Sequence, residues 1–155
     1  MTDEQQAFSE TFTERRLIAY TRFCGVVNLP SRMWMVRDWA KTQGYELVGP
    51  PQCVFFPNGC DREGEVCEVQ WEVVAGPEPV AGEIGLKWVG PARVVAGCHR
   101  GGPAAIPETV GALRAWAEAR GLRLSGTRQE IYHPDRMPST GGRITEIRLP
   151  VDGVE

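Results

Sequence analysis

Few of the 155 residues have side chains able to carry chemistry, and their spacing restricts what that chemistry is. Glu130 and Tyr132 stand two apart in Gln129-Glu130-Ile131-Tyr132, so on a strand they project from one face. Arg128, two residues earlier, falls on the same side of that alternation. A carboxylate and a phenol among apolar neighbours suit a flat organic ligand, polarised or cationic, because the charge attracts it and rings stack on it. In a hydrolytic alternative, Glu130 orients or deprotonates a water while Tyr132 hydrogen-bonds to the substrate. The structural alternative is a glutamate that is solvated or paired with an arginine.

Other candidates are weaker. Glu68 and Glu146 fall at corresponding places in the two halves, which invites a general acid and base pair. Repetition also preserves structural residues, and Arg148 lies two positions from Glu146 as a ready partner. His99 and His133 are each single, with no H-x-x-x-H or H-E-x-x-H setting, and Ser125 lacks a nucleophile elbow. The five cysteines, Cys24, Cys53, Cys60, Cys67 and Cys98, form an odd set without a C-x-x-C pair. That argues against a disulfide framework or a zinc ribbon and favours buried thiols. Gly97-Cys98-His99-Arg100-Gly101-Gly102 lacks the glycine order of a dinucleotide loop, and no phosphate-binding loop occurs. Neither a metal nor a cofactor is expected.

Five tryptophans are a generous supply for this length. Trp39 and Trp116 sit beside apolar helix positions and read as core, as does Trp71 on the apolar side of its strand. Trp34 lies beside the apolar stripe of its helix, and Trp88 stands between the two halves. Both are candidate walls of a ligand cavity or covers over the core.

The elements that position these residues come from an internal repeat. At an offset of 77 residues, Trp39-Ala40 and Gly44 match Trp116-Ala117 and Gly121, and twelve identities fall within the 42 positions from 16 to 57. Average composition gives about one match in fifteen. After a one-residue slip, Glu68 meets Glu146. Each half reads as strand, helix, strand, strand. Arg16–Arg22 and Arg93–His99 are the first strands, stopped by Gly25 and by Gly101-Gly102. Pro30 and Pro107 suit helix starts. Met33, Val36 and Ala40, like Val110, Leu113 and Ala117, form an apolar stripe, and Gly44 and Gly121 end the helices. The later strands are Cys53–Phe56 with Val66–Val73, and Gln129–Tyr132 with Arg143–Leu149. Alternation sets Cys67, Val69, Trp71 and Val73 against Glu68, Gln70 and Glu72, and Thr145, Ile147 and Leu149 against Ile144, Glu146 and Arg148.

The predicted fold is therefore α+β: two βαββ modules in pseudo-twofold tandem repeat, antiparallel sheets with helices on one face, and a ligand cleft between modules. Module one spans 14–75, a Pro- and Gly-rich crossover 76–91, and module two 92–151. Residues 1–13 read as a flexible N-terminus and 152–155 as a tail. The repeat places Cys53 and Phe55 at the positions of Glu130 and Tyr132. Ligand-binding candidates are thus Glu130, Tyr132, Cys53, Phe55, Trp34 and Trp88; the catalytic candidates of the hydrolytic alternative are Glu130 and Tyr132.

Composition sets the class. Hydrophobic residues make up 42% and charged residues 24%, enough apolar material for a core. With 17 Lys+Arg against 20 Asp+Glu, the net charge is −3, and without a basic run the chain has no electrostatic footprint for direct nucleic-acid binding. No secretory signal or membrane segment is legible, so the chain is expected in the cytoplasm, with a small-molecule partner, as a monomer or homodimer.

The arrangement resembles the GyrI-like small-molecule-binding domains, also called the bacterial transcription activator effector-binding domain, over residues 14 to 151. Its carriers are Ala96-Gly97 with His99-Arg100-Gly101-Gly102-Pro103, Trp116-Ala117 with Gly121-Leu122, Glu130-Ile131-Tyr132 with Pro134-Asp135, and Thr145-Glu146-Ile147-Arg148-Leu149-Pro150-Val151. Cys24-Gly25-Val26 departs from the family's usual Gly-Pro, and the stretch from Asn58 to Glu65 carries an unusual cysteine. The resemblance implies a cleft for hydrophobic, often cationic compounds. It also implies that Glu130 is the family's acidic residue and Tyr132 its aromatic one. Many members carry a helix-turn-helix reader, for which this chain leaves no room, so direct transcription control is not expected. Stand-alone relatives imply drug or xenobiotic sensing or sequestration, gyrase inhibition, or hydrolysis of cyclopropane-bearing electrophiles in an aromatic cage. A protein-interaction module using exposed aromatics such as Trp34 is a third alternative.

Overall fold

The computed structural model describes residues 8–24, 29–57, 66–74, 83–137 and 142–152; the expectations for Gly25, for Cys60 and for residues 1–7 and 75–82 fall outside them. In chain order the elements are β1 (Ser9–Thr13), β2 (Arg16–Cys24), α1 (Leu29–Thr42), β3 (Glu46–Phe56), β4 (Val66–Val74), β5 (Gly85–Val89), β6 (Ala92–Arg100), a short 3-10 turn (Pro103–Ala105), α2 (Ile106–Ala119), β7 (Arg128–Met137) and β8 (Gly142–Pro150). The architecture is α+β with antiparallel strands, and the chain divides into an N-terminal unit, Glu14–Pro91, and a C-terminal unit, Ala92–Glu155 with the segment up to Thr13.

In the N-terminal unit the strands run in the order β3-β4-β2-β5. Helix α1 packs on one face: Val36 and Ala40 are fully buried, and the Trp71 indole Nε1 donates a 2.8 Å hydrogen bond to the Met33 carbonyl. Between Val48 and Gln52 the ladder of β3 slips, a stretch that contains Pro50 and Pro51, which have no amide to donate. In the C-terminal unit the order is β7-β8-β6-β1. Val110, Leu113 and Ala117 of α2 share one core with Val95, Ile147 and Leu149. Burying such side chains stabilises each unit by roughly 1.5–3 kcal/mol per residue.

Both helices end in the same way. Tyr45 N–H donates to the Ala40 carbonyl and Gly44 N–H to Lys41, while Leu122 donates to Ala117 and Gly121 to Glu118. Gly44 (φ 88°) and Gly121 (φ 76°) occupy the left-handed conformation that this double bond requires. Trp39 stacks on Tyr45 with ring centroids 6.3 Å apart, and Trp116 packs against the C-terminal core, each half-buried, whereas Trp71 is buried.

Three expectations are corrected. Residues 9–13 are not frayed: they form β1 on β6, held by an Arg93–Glu10 ion pair. Phe8, just before it, lies edge-on to Trp116 with centroids 6.2 Å apart, and its ring occupies the space a Cβ on Gly97 would need. The crossover 76–91 contains strand β5, whose Gly85–Val89 pair with Arg16–Tyr20 of β2. The cysteines are not uniformly buried thiols: Cys53 and Cys67 are buried thiols, Cys98 is an exposed thiol, and Cys24 is disulfide-bonded. An odd cysteine count left room for a pair that spacing did not reveal.

The offset of 77 also fails on the first strands. Ala19 lies opposite Trp71, on the side of α1, whereas Ala96 lies opposite Arg148, on the side away from α2. With a side-chain period of two, a one-residue slip between the sequence match and the strand register inverts the faces, so the identical residues Ala19 and Ala96 are not equivalent, and Val95, opposite Leu149, is the residue on the side of α2.

Candidate functional site

Strand β7 positions the foremost candidates. It pairs with β8 so that Glu130 is opposite Ile147 and Tyr132 opposite Thr145, and Ile147 belongs to the α2 core. Glu130 and Tyr132 therefore emerge on the helix-packed face, as alternation predicts. The Tyr132 hydroxyl donates a 2.7 Å hydrogen bond to Glu130 Oε1, and Arg128 Nε donates at 2.8 Å to Oε2. The Glu130 side chain is 7% exposed and that of Arg128 25%, while Tyr132 is half-buried. The result is a carboxylate sunk among apolar neighbours under a phenol and a guanidinium that still meet solvent.

The opposite face of the same unit carries a second carboxylate. Glu146 accepts from Arg148 Nε at 2.8 Å and lies 3.0 Å from His133 Nε2. Partial burial raises its pKa, but the hydrogen bond with His133 and the positive charge of Arg148 outweigh burial and hold the carboxyl below its usual 4.5. A carboxylate held ionised in this way is a poor proton shuttle near neutrality. Spacing made Arg148 visible as a partner but not His133, because the hairpin register that brings residues 133 and 146 together depends on the connection between their strands.

Glu68 of the N-terminal unit is fully buried on the face away from α1. Its Oε2 accepts from Lys87 Nζ at 2.9 Å and from Arg22 at 3.1–3.2 Å, and its Oε1 from Gln70 Nε2 at 2.7 Å. Neither Arg22 nor Lys87 was visible as a partner in sequence, since both reach Glu68 from other strands.

The remaining candidates lie in the N-terminal unit. Cys53 and Phe55 are buried on β3, opposite Val69 and Cys67, on the side of α1. Trp34 is 46% exposed, tilted 35° to Trp71 at 6.4 Å and covered by the Arg37 guanidinium at 4.5 Å. Trp88 on β5 is 54% exposed with Arg15 4.5 Å above its ring. In the C-terminal unit His99 is structural: Nε2 lies 2.8 Å from the Gly102 carbonyl and so carries the proton, and Nδ1 lies 2.8 Å from the Thr109 hydroxyl at the start of α2.

A groove of about 540 Å³ beside the end of α2 is lined by Arg114, Glu118, Leu122, Arg123 and Leu124 among others, and by none of the predicted site residues. Among the described residues no three His, Cys, Asp or Glu side chains converge as metal ligands, and no helix is long and apolar enough to cross a membrane.

Two helix-backed antiparallel units, with a carboxylate and a phenol side by side on β7, define a chain of the GyrI-like fold. The similarity is to the C-terminal domain of EcmrR, at a TM-score of 0.78 and 17% identity over 95% of this chain and 98% of that one. A hydrolase from Listeria innocua is similar at 0.70 and 16% identity, covering 94% and 91% of the two chains. SAV2435 bound to tetraphenylphosphonium is similar at 0.62 and 12%, covering 94% of each. At such identities the likeness is one of fold. Neither a family model nor a curated protein matches the sequence.

Proposed function

We propose that the chain binds a flat, hydrophobic organic molecule, cationic ones included, through Glu130 and Tyr132, in the manner of a drug or xenobiotic sensor or sequestering protein. The observation that carries this reading is a buried carboxylate on the helix-packed face of β7, capped by a half-buried phenol. Arg128 and Tyr132 compensate its burial, but unlike Glu68 this carboxylate stands on the helix-packed side beside Ile147, where an apolar residue would fill the core at lower cost, and a ligand contact would explain a charge kept there. The tetraphenylphosphonium bound by SAV2435, an apolar aromatic cation though not a flat one, supports the hydrophobic and cationic character of the ligand. Hydrolysis is the second reading, motivated by the Listeria innocua hydrolase of the same fold. It is less favoured, because both oxygens of Glu130 already accept hydrogen bonds, from Tyr132 and Arg128, leaving a nucleophilic water to compete for them.

A screen of aromatic dyes and electrophilic natural products tests both readings, with tryptophan quenching reporting binding and ligand mass reporting chemistry. Quenching by an intact ligand is the expected result; a ligand that gains water indicates the hydrolase. Glu130→Gln is expected to weaken cationic aromatic ligands by about 1–3 kcal/mol with the fold intact. Unchanged affinity removes Glu130 from the site.

A further inference from the structure

We infer that Arg128 is the specificity-determining residue of this site: a resident counter-cation that a positively charged ligand must displace, so that the wild-type site favours uncharged or anionic aromatics over cations. This rests on the proposed binding role of Glu130 and Tyr132 and adds the ligand charge that the role alone leaves open. The geometry is direct. Arg128 stands two residues before Glu130 on β7, shares its face, and places Nε 2.8 Å from Oε2, while Tyr132 occupies Oε1 at 2.7 Å. Neither carboxylate oxygen is left to meet a ligand cation alone. Cross-strand neighbours Ile147 and Thr145 are buried, so the ion pair lies in a poorly solvated setting where its attraction is strong. Arg128 is also the more exposed partner, at 25% against 7%, and thus the part of the pair that an approaching ligand meets first. A ligand that leaves the pair intact gains stacking on Tyr132 without that competition; a cation gains Glu130 only by breaking a charge-assisted bond.

The test uses tetraphenylphosphonium and tetraphenylborate, similar in shape and opposite in charge, titrated calorimetrically into the wild type, Arg128→Gln, Arg128→Lys and the double variant Arg128→Gln/Glu130→Gln. Circular dichroism checks each fold. Arg128→Gln is expected to bind the cation about tenfold more tightly or better. Arg128→Lys, which keeps the charge, should stay within about threefold of wild type, as should the double variant, in which both charges are gone. If Arg128→Gln binds the cation no better than wild type, the inference is overturned and the binding role of Glu130 stands. If neither probe nor any compound of the screen binds, the binding role itself fails, and this inference with it. The wild type alone is a second test that needs no variant to fold: tighter binding of tetraphenylborate than of tetraphenylphosphonium is expected, and tighter binding of the cation shows that Arg128 does not neutralise the site and overturns the inference.

Discussion

Replacing Glu68 by glutamine tests the electrostatics of the N-terminal unit. The Glu68 side chain is 1% exposed, and its two oxygens take hydrogen bonds from Arg22, Lys87 and Gln70. An amide in its place keeps one carbonyl for Gln70 but turns an NH2 group toward two cations. Bonds to a charged group contribute about 1.5–3 kcal/mol each, but they do not sum here. The Arg22 and Lys87 side chains are 52% and 33% exposed, so water recovers part of what they lose. The expected loss is about 2–4 kcal/mol. The matching change Glu146→Gln should cost about 1 kcal/mol or less, because that side chain is 22% exposed and its partners meet water as well. Urea unfolding followed by circular dichroism measures both, with the slope m unchanged if only stability differs. Glu68→Gln crossed with Lys87→Met should give a coupling of at least about 0.5 kcal/mol. Equal losses for the two glutamates, or no coupling to Lys87, would refute the view that burial sets the value of these carboxylates.

Three further outcomes follow from the geometry. The carboxyl of Glu146 is held below 4.5, so its stabilising contribution is complete at pH values well above 4.5 and disappears as pH falls through its lower folded-state pKa; the stabilities of wild type and Glu146→Gln, measured by urea unfolding from pH 6.5 downward, should converge on acidification, and a constant gap would contradict the assignment. Gly97→Ala should cost about 1–3 kcal/mol and speed amide exchange across β1, because the added Cβ falls 2.5 Å from a Phe8 ring carbon; unchanged exchange would mean that Phe8 does not anchor the strand. Trp34→Phe and Trp88→Phe test the sequence expectation of ligand contact, with loss of about half the ligand-induced quenching expected from each contributing ring; undiminished quenching in one of them removes that ring from the ligand.

Much of the fold was legible in sequence for reasons visible at particular residues. The stripe of Val110, Leu113 and Ala117 has one helical face, Gly121 takes a conformation that suits glycine, and alternation through Thr145, Ile147 and Leu149 allows one buried side. Those are local properties, so spacing carries them. Strand β1 was missed because its stability comes from a distant aromatic, Phe8 on Trp116, rather than from its own polar sequence. Strand β5 was missed because it follows a Pro- and Gly-rich stretch and pairs with β2, far away in sequence. At the candidate site, the shared face of Glu130, Tyr132 and Arg128 was readable from period two, and the further choice between a solvated and an arginine-paired glutamate was not, since it depends on rotamers.

The two repeated glutamates show how far sequence identity between halves informs chemistry. Glu68 lies opposite Arg22, and Glu146 lies opposite Cys98, so the cross-strand cation of the N-terminal unit has no counterpart in the C-terminal one. Two residues beyond each glutamate the exchange is reversed: Gln70 follows Glu68 as a neutral donor, whereas Arg148 follows Glu146 as a charged one. On the hairpin partner, Phe56 of β3 pairs with Val66, while His133 of β7 reaches Glu146. The negative charge stays in place while its neutralising partner moves from a neighbouring strand to the same strand. A pair of catalytic carboxylates would need distinct surroundings that drive their pKa values apart, one toward neutrality as an acid. Here both are supplied with donors and cations instead, which is what an ionised carboxylate withdrawn from water requires, wholly so for Glu68 and partly for Glu146. The β7 pair differs in kind, because Glu130 and Tyr132 stand where the N-terminal unit has uncharged Cys53 and Phe55, and an ionisable group added to one half alone is not explained by repetition.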